Sequence, residues 1–256
     1  MAQSARSDIM RFVNDAESML RLTPRLMVAA YAQGAFPMAG GRADERIDWY
    51  SPNPRAILPL DGFHCPRSLE RLMRRGEHEI RHDTAFAQVI DGCAAPRDSQ
   101  KESWINTEIR RVFVELHELG LAHSIEVWRN GQLIGGLYGL SLGAAFFGES
   151  MFHPSNTPGA MNCPRPRKLE DGARDDARWV GVDVSKVALA ATVEHLRRCG
   201  FRLFDVQFQS EHLRRLGVVE ISRDAYLTKL DEALRCDVGW DRPTMADTRS
   251  WMKDCR

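Results

Sequence analysis

The chain has 256 residues, which fits one large domain or two small ones with a substantial core. Its 35 basic and 35 acidic residues cancel, so the molecule as a whole lacks the positive charge of a nucleic-acid binder, and any such contact must come from a local patch. The six cysteines are scattered without a CxxC pair or zinc-spaced histidines, which points to thiols in a reducing cytoplasm. The opening residues lack the apolar run of a leader or membrane span.

Residues 8–36 read as helical. Thr23-Pro24 supplies an N-cap and first-turn proline, Leu26, Ala29, Ala30 and Gln33 follow at helical spacing, and Gly34 and Pro37 end the run. Ser51–Leu58 reads as a proline-rich turn entering a short strand. Helices are expected over Pro66–Arg75, Thr84–Cys93 and Asn106–Leu119, the last closed by Gly120. The pattern then changes. Ala122–Arg129 and Gln132–Leu140 flank Asn130-Gly131, a strong hairpin signal, and Gly143–Phe152 is the next strand. Ser185–Cys199 has helical periodicity ending at Gly200, Leu203–Phe208 is a strand, and short helices follow at His212–Leu216 and Arg223–Leu234. Strand, helix and strand from Gly143 to Phe208 form a β-α-β unit, so its strands should be parallel and adjacent. The part before about Asn106 reads as mostly helical. Pro154–Val184, rich in proline, glycine and paired charges, reads as an insertion, either a surface loop or a lid.

Two apolar runs carry polar groups that a core resists: FFGESMF (Phe146–Phe152) and LFDVQ (Leu203–Gln207). Burying an unpaired carboxylate costs several kcal/mol or shifts its pKa, so Glu149, Asp205 and Gln207 need a reason to be there. Strand alternation puts Phe204, Val206 and Phe208 on a core face, and Asp205 with Gln207 on the other, projecting into a cleft. It also puts Phe147, Glu149 and Met151 on one face. A polar pair capping a neighbouring element, and an ion pair between Glu149 and an arginine, are the structural alternatives. Trp104, Tyr31, Phe36 and Trp49 read as packing residues. Gly135, Gly136 and Gly139 lie inside a strand, where glycine marks a bulge or a close approach. Neither GxGxxG nor GxxxxGK[ST] occurs.

In order along the chain stand AYAQGAFPM (Ala30–Met38), WYSPNPRAIL (Trp49–Leu58), FHCPRSLERLMRR (Phe63–Arg75), SWI (Ser103–Ile105), LHELGLAHSIEVWRNGQLIGGLYGLSLGAAFFGESMF (Leu116–Phe152), SKVAL (Ser185–Leu189) and LFDVQ. This series resembles the leucyl/phenylalanyl-tRNA–protein transferases over roughly residues 20–235, apart from the insertion. The resemblance implies an α+β fold: an N-terminal α/β domain (1–105), a domain similar to the GCN5-related N-acetyltransferases (106–236, carrying the insertion), and a tail (237–256). It implies transfer of Leu or Phe from aminoacyl-tRNA to the N-terminal Arg or Lys of a protein, which marks the product for N-degron degradation. By motif position Asp205 and Gln207 are the catalytic pair, and Glu149 contacts the incoming basic N-terminus. Trp104 stacks on the terminal adenosine, with Met38 as its partner. Leu137, Phe146 and Leu189, with Met151, line the apolar donor pocket. Arg67, Arg71, Arg74 and Arg75, and also Arg197, Arg198, Arg214 and Arg215, are candidate contacts for the tRNA body. No metal, cofactor or membrane is implied.

The chain departs from the family pattern in having Met38 where an aromatic residue is common, and in the insertion. Stacking is worth ~1–3 kcal/mol per base, so one adenosine contact is expected to be weaker. Three other functions fit less of the sequence. An acyl-CoA acetyltransferase would want a glycine-rich turn where VGVDVSK (Val180–Lys186) stands. A non-catalytic tRNA- or degron-binding module has no need of Glu149, Asp205 and Gln207. A transferase of the same fold with another acceptor is the third.

Overall fold

A computed structural model describes residues 22–96, 103–153 and 184–240. The helical reading of residues 8–21, most of the insertion with Met161, Cys163 and Trp179, and the tail beyond Trp240 lie outside these residues.

The chain enters through helix α1 (Pro24–Tyr31), where the Thr23 hydroxyl accepts from the Leu26 N–H and Pro24 opens the helix. Met27, Ala30 and Tyr31 form its buried face, while Leu26 is exposed. Four short strands follow: β1 (Phe36–Ala39) paired with β2 (Ile47–Tyr50), then β3 (Arg55–Ile57) and β4 (Glu79–His82). β3 follows the expected turn into a short strand, while β1, β2 and β4 correct the expectation of a mostly helical N-terminal part. Strands of three or four residues are too short to show alternation, and neighbours distant in sequence set their conformation. Between and after them come α2 (Arg67–Arg74), α3 (Phe86–Ala94) and α4 (Thr107–Glu118), close to the expected helices. The N-terminus of α3 is capped from another element: Glu126 accepts from the backbone N–H of Thr84 and Ala85, the Thr84 and Ser124 hydroxyls and the Trp128 indole.

The second half follows the sequence pattern. Strands β5 (Ala122–Arg129) and β6 (Gln132–Leu142) turn at Asn130 and Gly131, both at positive φ (50° and 75°). They lead to β7 (Ala145–Phe152), α5 (Val184–Cys199), β8 (Leu203–Gln207), α6 (Glu211–Arg214), β9 (Val219–Ile221) and α7 (Arg223–Leu234). Among the described residues seven strands form one sheet in the order β4-β5-β6-β7-β8-β3-β9. The β7–β8 pair is parallel, as the β-α-β reading required, and the other pairings are antiparallel. The protein is therefore a mixed α/β fold around a mixed sheet, consistent with α+β. The expected units 1–105 and 106–236 share that sheet, since β3 and β4 come from the first.

The sheet divides the core in two. One face packs against α1, α3, α4 and α7 through Met27, Tyr31, Val89, Ile90, Phe113, Phe147 and Leu230. The other packs against α2 and α5 through Leu69, Leu72, Phe146, Val187, Leu189 and Phe204. Gly135 and Gly136 serve this packing rather than a ligand, each backbone lying against α5 or α3 side chains. Trp240 folds back onto the α5 face, stacked 4.2 Å from the His123 ring and 5.4 Å from Phe146, and close to His82 and His195. Among the described residues Cys65, Cys93, Cys199 and Cys236 form no disulfide, no group of three or more His, Cys, Asp or Glu could hold a metal, and no helix is long and apolar enough to cross a membrane.

Candidate functional site

Glu149 reaches its position through an irregularity. Tyr138 pairs with Ser150 and Gly139 with Gly148, so the ladder skips Glu149 and β7 bulges there. Gly139 makes the bulge possible: a Cβ there would stand 2.3 Å from the Phe147 carbonyl. The bulge breaks alternation, which corrects the expected shared face. Phe147 packs in the α1 core and Glu149 stays on that side, against Tyr31, whose ring meets Phe147 at 5.0 Å, whereas Met151 packs against the α5 core. Its residue surface is partly exposed while its carboxyl is deeply enclosed. Burial pushes that carboxyl up to about 8. The Tyr31 hydroxyl and Arg55 oppose this rise and the Asp205 charge adds to it. Burial and the Glu149 charge push the Tyr31 hydroxyl well above its ordinary value, although it closes no hydrogen bond of ordinary geometry.

β8 is irregular at the matching place. Ala56 pairs with Gln207 and Ile57 with Asp205, so Val206 is skipped. Gln207 then adopts φ 56°, and the Phe208 N–H closes onto the Val206 carbonyl at 2.7 Å, a three-residue turn rarely adopted by non-glycine residues. The turn swings Phe208 outward, 45% exposed, against its expected place in the core, and its ring rests edge-on to Phe36 at 5.6 Å. The Gln207 side-chain amide donates to Glu149 at 3.3 Å. These two expected site residues therefore meet.

Asp205 does not project into a cleft. It is 0% exposed, and its two oxygens accept four hydrogen bonds. Arg55 gives Nε to Oδ1 at 2.9 Å and Nη2 to Oδ2 at 2.6 Å, the Tyr226 hydroxyl gives to Oδ2 at 2.7 Å, and the Gln207 backbone N–H gives to Oδ1 at 2.9 Å. Arg55 is 1% exposed. Its guanidinium is sandwiched 4.7 Å from the Phe36 ring centre and 4.5 Å from that of Tyr226, and Nη1 donates to the Gly34 carbonyl. Burial alone would lower the Arg55 pKa, and the Asp205 charge and hydrogen bonds turn the shift upward. The anticipated buried arginine pair thus exists, on Asp205 rather than Glu149. Arg55, Tyr226 and Tyr31 were missed as site residues. The signal for Arg55 was its place inside an apolar strand run, where a buried guanidinium demands a carboxylate. Tyr226 had no comparable signal.

Leu137, Phe146 and Leu189 come together as buried members of the α5-side core, with Met151 partly exposed beside them. Met38 and Trp104 lie near each other: the N–H of the next residue, Ala39, donates to the Trp104 carbonyl at 3.1 Å, and both side chains pack on the α1-side core. A recess of about 340 Å³ opens beside them, lined by Gly40–Asp44, Ala94, Pro96 and Ser103. Met38 stands two residues from Phe36, about 7 Å along the strand. Arg67, Arg71, Arg74 and Arg75 are exposed on α2, with Arg74 paired to Glu70. Arg214 and Arg215 pair with Glu211, and Arg197 donates to the Leu60 carbonyl.

Residues 57–161 and 181–231 match the family described as leucyl/phenylalanyl-tRNA protein transferase, and residues 21–53 match its N-terminal domain. The chain is 48% identical over 224 residues to a leucyl/phenylalanyl-tRNA–protein transferase of Paramagnetospirillum magneticum, covering 88% of this chain and 95% of the relative. It is 43% identical over 217 residues to one of the same description from Rhodospirillum rubrum, covering 85% and 90%. Among solved structures, the C-terminal domain of a putative lysylphosphatidylglycerol synthetase from Agrobacterium fabrum superposes loosely, with a TM-score of 0.35, 11% identity, and coverage of 84% of this chain and 58% of that one.

Proposed function

This chain belongs to the leucyl/phenylalanyl-tRNA–protein transferase family, an aminoacyltransferase family, and on that premise we propose that it moves Leu or Phe from charged tRNA to a protein N-terminus bearing Arg or Lys. The observation that carries the proposal is the meeting of Gln207 and Glu149 at two strand irregularities, beside a fully saturated Asp205.

The donor is an activated ester, so aminolysis draws on no ATP and no metal. It needs a neutral amine held against the carbonyl carbon. The nitrogen attacks, the amide bond forms, and the ribose oxygen leaves and takes up a proton. An N-terminal amine has a pKa of ~7.7–8.0, so on the order of a tenth is neutral at pH 7. An ordinary Asp at ~3.9 would accept the proton about four units uphill, ~5–6 kcal/mol. Asp205 has four hydrogen bonds already, so in this reading it does not grip the ammonium, and it acts through the Gln207 backbone it holds. Gln207 presents its amide to the attacking nitrogen. Glu149 takes the basic acceptor side chain, which favours its ionised form, so acceptor binding releases a proton.

Met151, partly exposed and backed by the buried Leu137, Phe146 and Leu189, is the apolar wall we assign to the donor side chain. A hydrophobic site separates apolar shapes by only ~1–3 kcal/mol per methylene, which accounts for accepting both Leu and Phe. Trp104 and Met38, beside the recess, take the terminal adenosine, and the α2 arginines give a salt-sensitive hold on the tRNA body. Charged tRNA is a cytosolic substrate, and we assign the reaction to the cytoplasm. We assign the β5–β8 sheet and α5 to a GCN5-related acetyltransferase-like unit, supported by the parallel β7–β8 pair joined through α5.

The test is transfer of radiolabelled Leu and Phe from charged tRNA to peptides beginning with Arg, Lys, Asp or Ala. Labelling confined to the Arg and Lys peptides is expected. Labelling of the Asp peptide, or of none, would overturn the acceptor assignment.

A further inference from the structure

We propose that Arg55 and Tyr226 are positioning residues for aminoacyl transfer, fixing Asp205 so that its carboxylate pins the Gln207 backbone and keeps the amide side chain aimed at Glu149. This rests on the roles of Gln207 and Glu149 put forward above.

The argument starts from the Gln207 backbone. A non-glycine residue at φ 56° leaves that conformation unless its surroundings hold it. Its N–H is turned away from an ordinary ladder partner and onto Asp205 Oδ1. That oxygen can hold the turn if the carboxylate is itself immobile. Arg55 and Tyr226 make it so: three donors fix the carboxylate's plane, and the Tyr226 ring also packs under the guanidinium it shares the site with. Arg55 reaches further. It also lies 4.7 Å from the ring centre of Phe36 on β1, and Nη1 holds the Gly34 carbonyl just before that strand. One guanidinium thereby ties β8, which ends in Gln207, to β1, which carries Met38. The donor side and the acceptor side of the site are set against each other through Arg55, although neither Arg55 nor Tyr226 is exposed to touch a substrate.

Tyr226→Phe keeps the ring and removes one donor to Asp205. It is expected to fold, with kcat down about tenfold and the KM for acceptor peptide and charged tRNA within about twofold of wild type. Arg55→Lys keeps the charge but loses the two-pronged contact, and is expected to lower kcat about a hundredfold. In both variants amide hydrogen exchange at the Gln207 N–H should quicken while core amides of β6 stay protected. With Asp205→Asn as background, Tyr226→Phe should add little further loss. Unchanged kcat in Tyr226→Phe would overturn the proposal, as would a fall in activity matched by the unfolded fraction with Gln207 exchange as in wild type. Gln207→Ala separates the two layers. If it retains activity, the underlying site assignment fails. If it loses activity while Tyr226→Phe and Arg55→Lys keep theirs, the positioning role alone fails.

Discussion

Two clusters of polar side chains lie against opposite faces of the same sheet, and their chemistry is resolved in opposite ways. On the α1 and α7 face, Arg55, Asp205, Tyr226 and the Gln207 N–H form a network in which each lone-pair direction of the carboxylate has a donor. On the α5 face, His82, His123, His195 and Trp240 meet mainly through ring contacts, His123 stacked on Trp240 and the other pairs tilted. Among the described residues His82 Nδ1, His123 Nε2, His195 Nδ1 and Trp240 Nε1 are buried without a hydrogen-bond partner, and of the four only His123 is anchored by a short carboxylate contact, Nδ1 to Asp83 at 2.8 Å. Hydrogen bonds fix direction, whereas stacked rings fix mainly distance and area. The first arrangement suits a site that must aim an amide. The second suits a contact that holds a chain segment in place.

The contrast can be broken most severely at Asp205. Asp205→Ala leaves the Arg55 charge buried without its counter-ion, and unfolding free energy in urea should fall by about 3–5 kcal/mol with transfer activity lost. A loss below about 1 kcal/mol would mean that water reaches the site and that the network is weaker than its geometry.

Acid should act on the other cluster first. Burial lowers His82 to about 4 and His195 to about 3, below the unfolded value of ~6.5. The unfolded chain then binds more protons below pH 6.5, so this stability is complete above that pH and is lost as pH falls toward 4. Between pH 6.5 and 5 the loss should reach about 2–4 kcal/mol for the two rings together. Urea midpoints followed by tryptophan fluorescence across that range would show it, and a flat profile would contradict the neutral buried rings. Trp240→Ala should cost about 2–3 kcal/mol by the same assay, at the low end for a core aromatic because the residue is partly exposed, with kcat unchanged.

The smallest effect sharpens the comparison within the site. Glu149, unlike Asp205, is held only loosely among the described residues, by the long Gln207 contact and the nearby Tyr31 hydroxyl, and its carboxyl is raised to about 8. The KM for an Arg peptide should therefore rise up to about tenfold per unit as pH drops below 8, and level off above it. Glu149→Gln should remove that slope. The acceptor amine titrates equally in both proteins and cancels in their ratio.

Much of this was legible in the sequence, and the limits are physical. The helices, the Asn130-Gly131 hairpin and the parallel β7–β8 pair follow from periodicity, caps and turn residues, which act over a few neighbours. Motif order named Glu149, Asp205 and Gln207. Their surroundings were not legible. The alternation rule assumes an unbroken ladder, and the skipped residues at Glu149 and Val206 violate it, so Phe208 was assigned inward; Asp205 does lie opposite Phe204, but that face of the sheet is covered too, so it is buried rather than open to a cleft. Arg55 and Asp205 stand 150 positions apart, and no local pattern joins them. β3 was legible from the proline-rich turn before it, whereas β1, β2 and β4 were missed because their conformation is imposed by partners remote in the chain.

The bulge at Glu149 also says something about how this activity can be lost. Removing one residue there would let Gly148 and Ser150 run straight along β6, and the resulting strand would be the more regular one, with its core residues still present. On the acceptor role proposed for Glu149, a deletion of this kind would remove acceptor capture while leaving the core residues of β7 in place. Among descendants of such a chain, an inert copy would be recognisable by a β7 one residue shorter, well before any change in its catalytic side chains.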